Sequence, residues 1–460
     1  MLTKQQNDWL TQVGPGTRMG NYLRRYWMPV AGVSEFDAKA TKPVKLFGED
    51  LVLYKDLSGN FGLIERQCPH RRADLAFGIP EKCGLRCNYH GWAFDAQGQC
   101  VAQPYEDTTT PERNTKAGVK IQSYPVKTLG GMLWAYMGPL PAPLLPDWEA
   151  LTRPNVFAQI IISEVPCNWL QCQENSIDPV HFEWNHEYWD NRLRQGDEVD
   201  PAPRHIKLDF EEFEHGFVYK RIREGGSESH PFWTIGRVAL WPVGFFLGDH
   251  FEFRVPIDDE NTLSIAWRLT HVPKDREPYV QASIPTWQGP LKDDKGEWIT
   301  SHVLNQDFVA WVGQGRIMDR TRERLGASDR GIVMLRRRFL SELDATEAGA
   351  QPKGQINDPA KNVRVPLPMA NHDSTLRGFT TAEILADPRR KSFLTSFYLQ
   401  AGQPEEVKRQ MGEAMGVTYG DFQGVAVIAT GKAPTTPAAA ASSASPAPGL
   451  APAAAEVEGT

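Results

Sequence analysis

Apolar and polar side chains alternate with a period of two over residues 44–55 and again over 59–65, with glycine at the turns. That is the pattern of half-buried β-strands. Ser58-Gly59-Asn60 and Gln97-Gly98-Gln99 add turn signals on either side. Ahead of this region, residues 3–11 predict a short helix, and 22–33 lead into the first strands. The run 130–139 opens on a glycine pair, is apolar through its middle and ends on Gly-Pro, so it predicts a buried strand closing the β-rich portion. Prolines from 139 to 146 then predict a linker. The expected organisation is a first domain over 1–150 that includes the N-terminal helix, a second over 151–430, and a tail over 431–460. The tail is rich in Ala, Pro and Ser and nearly devoid of large apolar side chains. It cannot bury enough surface to offset its ordering entropy, so disorder is expected there.

Composition narrows the class. A chain of 460 residues exceeds one ordinary core, and 41% hydrophobic with 23% charged residues suits a globular protein. A net charge of -7 without a basic tract argues against nucleic-acid binding. Six cysteines do not make a disulfide framework in a chain this long, which fits a reducing cytoplasm. The opening residues lack a basic segment followed by an apolar one, so no signal peptide is expected. Apolar runs such as 238–248, interrupted by Pro242, are too short to cross a bilayer.

The chemistry starts at Cys68, His70, Cys87 and His90, in Cys-Pro-His-Arg-Arg and Cys-Asn-Tyr-His-Gly-Trp. Two thiolates and two imidazoles suffice for both irons of a 2Fe–2S cluster, and histidine in place of thiolate on one iron raises the reduction potential. A zinc finger would pair Cys with Cys and His with His, whereas here each pair mixes the two. A Cys68–Cys87 disulfide would leave both histidines without a role. Pro69, Gly84 and Gly91 suit tight loops whose N–H groups point at sulfur. Cys83 lacks a histidine three residues on and reads as a buried small residue or a neighbour of the site.

A second constellation is Asp178-x2-His181-x4-His186. On a regular helix a spacing of five puts the two histidines about 140° apart, so a π-type widening or a helix end must bring them together. A mononuclear iron site needs two histidines and a carboxylate on one face. The carboxylate must come from elsewhere, and Asp307, entering a predicted helix in Asn305-Gln306-Asp307-Phe308, is the candidate. Asp319 and Glu323 lie near it in sequence, and a capping or solvated role for Asp307 is the competing reading.

These motifs resemble those of the Rieske non-haem iron aromatic-ring oxygenases over residues 1 to about 430. The anchors are residues 68–71, 87–92 and 178–186. Asn305-Gln306-Asp307, Gly315-x3-Asp319-Arg320-Thr321 and Ser328-Asp329-Arg330-Gly331 are similar to the branch of phthalate dioxygenase, dehydrodivanillate O-demethylase and phenoxybenzoate dioxygenase. The resemblance implies an α+β fold, with an N-terminal Rieske β-domain and a C-terminal helix-grip catalytic domain of antiparallel sheet and long helix. It implies a 2Fe-2S Rieske cluster and a mononuclear Fe(II), the latter on His181, His186 and Asp307. In a trimer or hexamer where the cluster of one subunit serves the iron of its neighbour, His90 would be the exposed cluster ligand, Asp178 the bridge, and His181 the iron ligand on the far side. Asp178 also precedes Pro179 and would equally cap a helix starting there.

The implied reaction takes reductase-derived electrons, one at a time, and dioxygen to hydroxylate an aromatic carboxylate. The alternative is O-demethylation of a methoxylated lignin-type biaryl acid, and a remote one is a non-catalytic Rieske electron carrier. No Gly-x-Gly-x2-Gly follows a plausible strand, so NAD(P)H chemistry falls to a partner, a flavin/2Fe-2S reductase or a ferredoxin plus reductase. An aromatic acid calls for a buried cation in the pocket. Arg204, Arg221, Arg237 and Arg254 fall in the predicted catalytic sheet, and Arg237, within the apolar run 234–246, is the preferred substrate contact. Trp184, Phe245 and Phe246 are candidate lining residues.

Overall fold

The computed structural model describes residues 1–422, apart from 197, 198, 200, 201, 249, 370–375 and 399. The expected tail at 431–460 lies outside the described residues. Helix Lys4–Thr11 is fixed at its start by a reciprocal cap: Gln6 N–H donates to the Thr3 hydroxyl and Thr3 N–H to the Gln6 side chain. The alternating stretch 44–55 folds as hairpin Thr41–Leu46 and Glu49–Lys55. Phe47 and Gly48 at its turn have φ of 50° and 79°, the left-handed pair that a two-residue hairpin demands. Phe61–Glu65 and Ser123–Tyr124 complete that sheet. Met132–Tyr136, buried throughout, sits between Trp27–Gly32 and Val126–Leu129. A third small sheet runs from Ile79–Glu81 to Cys100–Ala102; the Cys87–His90 loop joins two of its strands, and the Cys68–His70 loop leads into it from Phe61–Glu65.

The rest of the chain is built on an eight-stranded sheet. Its strands pair antiparallel except Thr286–Gln288, which lies parallel beside Ile160–Ile162. The sheet is therefore mixed where a purely antiparallel one was expected, because the chain crosses over after Thr262–His271 before it returns. Strand Val156–Val165 shows why both faces are covered. Ala158, Ile160 and Ile162 enter one core and Phe157, Ile161 and Val165 the other. The first core contains the long helix Arg330–Glu347, whose Phe339 stacks on Trp241 at 4.0 Å. Helix Val303–Gly313 and the helices Thr381–Ala386, Pro388–Tyr398 and Glu405–Met415 pack into the second.

The first core runs without a break from the N-terminal sheets into the large one, with Trp134 edge-on to Phe253 at 5.2 Å. Backbone bonds Phe47 N–H to Pro256 O and Gly48 N–H to Ile257 O, and Trp267 Nε1 to Gly130 O, lock the same junction. A helix long and apolar enough to cross a membrane is absent among the described residues.

Candidate metal centres

The two Cys/His loops are built alike. Cys68 N–H donates to Ala73 O and Arg72 N–H to Cys68 O; Cys87 N–H donates to Trp92 O and Gly91 N–H to Cys87 O. The fourth residue after each cysteine is left-handed, Arg72 with φ 59° and Gly91 with φ 77°. Each cysteine is thus drawn inward by the same tight turn. Cys68 and Cys87 are buried, and burial first, with Cys87 adding to it, pushes the Cys68 thiol up to about 11. The imidazoles lie outward: the rings of His70 and His90 are 4.5 Å apart, and His90 is exposed. Trp92 stacks flat on His70 at 4.5 Å, which sets the plane of that ring. Two buried thiols and two outward imidazoles suit a cluster with one all-sulfur iron and one histidine-bound iron. Cys83 is exposed and belongs to neither loop, which corrects the expectation of a buried residue.

Five-residue spacing brings His181 and His186 together because residues Phe182–Trp189 form a π-helix, whose i→i+5 bonds widen the turn. Asp307, from helix Val303–Gly313, joins them, and one ligand atom from each of the three lies within 4.8 Å of the others. Asp307 Oδ1 is 3.2 Å from His186 Nε2 and 3.7 Å from His181 Nε2. Asn175 and Asn185 side-chain N–H groups donate to the same oxygen at 3.2 and 3.5 Å. Asp307 is buried, so the solvated reading fails. His186 Nε2 is buried and lacks a hydrogen-bond partner, facing the carboxylate instead. Three ligand atoms converging on one point, with an orphaned buried nitrogen among them, fit a divalent cation. Asp178 Oδ1 accepts from Val180 N–H at 2.8 Å, and Oδ2 lies 3.6 Å from His181 Nδ1; the helix starts only at His181, so Asp178 is not its cap. Burial raises its proton affinity, but His181 and the backbone N–H groups outweigh that and hold the carboxyl below its ordinary value.

Beside this centre lies a cationic cluster. Glu183, buried in the π-helix, meets Arg221 at 2.8 Å, Arg223 at 2.9 Å and His205 at 3.0 Å. Burial first, then Arg237, brings Arg221 down to about 10. Arg237 is buried, with its guanidinium 4.4 Å from the centre of the Phe182 ring and 4.7 Å from that of Phe232. The Phe182 ring in turn is 4.7 Å from His181 and 5.3 Å from His186. Arg237 therefore sits one aromatic ring away from the histidines. Of the remaining arginines, Arg204 pairs with Glu224 at the surface, and Arg254 with Glu252 in the sheet. Phe245 and Phe246 are buried, and Trp184 is half exposed. Sequence reasoning missed Gln306, Asn175 and Asn185, although all three stand inside or beside the motifs that drew attention.

Comparison with known proteins agrees with this geometry. Residues 26–125 match the Rieske [2Fe-2S] domain, and 287–381 match the domain described as LigXa C-terminal domain like. The chain is 58% identical over 418 residues to the 5,5'-dehydrodivanillate O-demethylase oxygenase subunit of Sphingobium sp. (strain NBRC 103272 / SYK-6), covering 91% of this chain and 98% of that one. It is 32% identical to the phthalate 4,5-dioxygenase oxygenase subunit of Pseudomonas putida, over 77% of this chain and 89% of that one. Among solved structures, Pseudomonas putida CBB5 NdmA shares the fold, with a TM-score of 0.50 at 19% identity over 71% of this chain and 93% of its own. The chain belongs to the Rieske non-haem iron oxygenases, as an oxygenase alpha subunit. Within them it falls in the branch of the dehydrodivanillate O-demethylase and the phthalate and phenoxybenzoate dioxygenases. Members of this family use a Rieske 2Fe-2S cluster and a mononuclear catalytic iron.

Proposed function

We propose that this oxygenase hydroxylates an aromatic carboxylate, and that the carbon attacked is the methyl of an aryl methyl ether on a biaryl acid. The 58% identity over nearly the whole of the dehydrodivanillate O-demethylase subunit carries the demethylase reading. Hydroxylating an O-methyl carbon gives a hemiacetal that expels formaldehyde: ArOCH3, O2, two electrons and two protons become ArOH, HCHO and water. Ring dihydroxylation is the second reading, favoured by the 32% identity to phthalate 4,5-dioxygenase.

Cys68, His70, Cys87 and His90 would hold the cluster, and His181, His186 and Asp307 the iron. Iron bound there supplies dioxygen activation, fed by electrons from the cluster. The protein's own residues do the rest. Asn175 and Asn185 orient the Asp307 carboxylate by hydrogen bonds to Oδ1. Arg237 would anchor the substrate carboxylate, leaving the ring to lie towards the histidines past Phe182. Exposed His90 would meet Asp178 of a neighbouring copy in a trimer or hexamer, and an NAD(P)H-dependent reductase, with or without a ferredoxin, would supply the electrons. Asp178 would orient the His181 ring across that junction.

The deciding experiment is dioxygen uptake with product mass, using the reconstituted protein, a compatible reductase, and dehydrodivanillate, phthalate, chlorobenzoate or phenoxybenzoate. Formaldehyde release with dehydrodivanillate supports demethylation, and two added hydroxyls on phthalate support the second reading. Silence across the panel with both metals present discards the substrate class. Arg237→Gln should raise KM for the productive acid at least tenfold, on the loss of one buried charge-assisted contact. An unchanged KM removes Arg237 from substrate binding.

A further inference from the structure

Gln306 immediately precedes Asp307, is fully buried, and makes three polar contacts. Its side-chain nitrogen donates to Thr300 O at 2.8 Å and to Asp190 Oδ1 at 3.0 Å. A carbonyl and a carboxylate only accept, so the amide cannot be turned the other way without losing both bonds. Its Oε1 therefore faces His186 Nδ1, at 2.9 Å. An amide oxygen cannot donate, so His186 carries a proton on Nδ1. The lone pair of a neutral ring is then on Nε2, the atom that is buried without a hydrogen-bond partner and aimed at Asp307 Oδ1, 3.2 Å away.

We propose that Gln306 is a positioning residue that fixes the tautomer and ring plane of His186, so that Nε2 is committed to the cation shared with His181 and Asp307. Asp190 holds the amide in place and polarises it, so the chain of contacts runs carboxylate, amide, imidazole, cation. His181 is served differently, with Asp178 directly beside its Nδ1. Outer partners of this kind set metal affinity by about 10–100-fold. The proposal rests on the iron site assigned above, and the experiment separates the two.

Fe(II) affinity and total iron per chain are measured on the cluster-bearing full chain for wild type, Gln306→Leu, the double variant Gln306→Glu with Asp190→Asn, and His186→Ala, with the Rieske absorption spectrum and thermal midpoint as controls. Leu keeps the volume and removes the acceptor, and should weaken Fe(II) binding about 10–100-fold with the Rieske spectrum unchanged. In the double variant the new carboxylate keeps an acceptor towards Nδ1 and takes a hydrogen bond from the new amide at 190, and it should bind no more than about threefold weaker than wild type. If Leu does not fold, Gln306→Met replaces it, with the same loss expected. Wild-type affinity in the Leu or Met variant overturns the proposal. So does an equal loss in the double variant, which would mean that Gln306 matters for packing alone. Failure of the underlying assignment looks different: His186→Ala would keep the same iron as wild type.

Discussion

Replacing Glu183 with Gln tests what holds the iron-site helix in its wide turn. The carboxylate lies two residues beyond His181, with its side chain only 1% exposed. Removing one member of a buried ion pair costs about 3–5 kcal/mol, because the other charge stays behind in a medium that solvates it poorly. The charge left behind is Arg221, itself 4% exposed; Arg223 is 33% exposed, so its share is screened to below about 1 kcal/mol. Arg221 keeps the Pro179 carbonyl at 2.9 Å and the faces of Phe182 and Phe232 at 5.1 and 5.2 Å, each cation–π contact worth about 1 kcal/mol. These offsets place Glu183→Gln near the lower end, about 3 kcal/mol. Calorimetric unfolding of Glu183→Gln, Arg221→Met and the double variant measures it. The double variant removes both charges and should recover about 2 kcal/mol relative to the sum of the single changes. A cost below about 1 kcal/mol for Glu183→Gln, or strict additivity in the double variant, refutes the reasoning.

Two further substitutions address the metals. Asp307→Ala should abolish the mononuclear iron while leaving the Rieske absorption intact, as read by iron analysis and visible spectra; iron retained beyond the cluster's share refutes Asp307 as ligand. Asp178→Asn should keep both metals and slow single-turnover oxidation of the cluster at least tenfold; an unchanged rate in stopped-flow absorbance removes Asp178 from the electron route.

The sequence was most informative where ligands are local. The Cys68–His70 and Cys87–His90 pairs each sit in one short loop, so spacing alone defined them, and the need for a widened helix at His181 and His186 followed from five-residue spacing. The sequence could not select the carboxylate, because the path of the chain and the partners each acid finds decide it. Asp307 is buried against the histidines, while Asp319 is exposed and bonded to Thr321, and Glu323 is taken by Arg336. Trp184 lies in the π-helix and is half exposed. Arg237, from the apolar run 234–246, is buried beside two aromatic rings. The parallel strand Thr286–Gln288 carries no signal of its own direction, since pairing is set by the path of the chain before it.

A π-turn is rarely the lowest-energy choice for an isolated segment, so its neighbours must hold it open. Here the holding contacts are distributed along its length. Asp178 binds the Val180 N–H just before its start, Glu183 takes the strand arginines in its first turn, and Asp190 reaches Gln306 just past its end. Consecutive residues on helix Val303–Gly313 point about 100° apart. That divergence lets Gln306 and Asp307 reach opposite edges of one imidazole, at 2.9 Å from Nδ1 and 3.2 Å from Nε2. A ring approached at both nitrogens has little freedom to turn. The His186 side of the site is therefore set by the fold before any cation arrives, and the cation's binding energy need not be spent on ordering that ring.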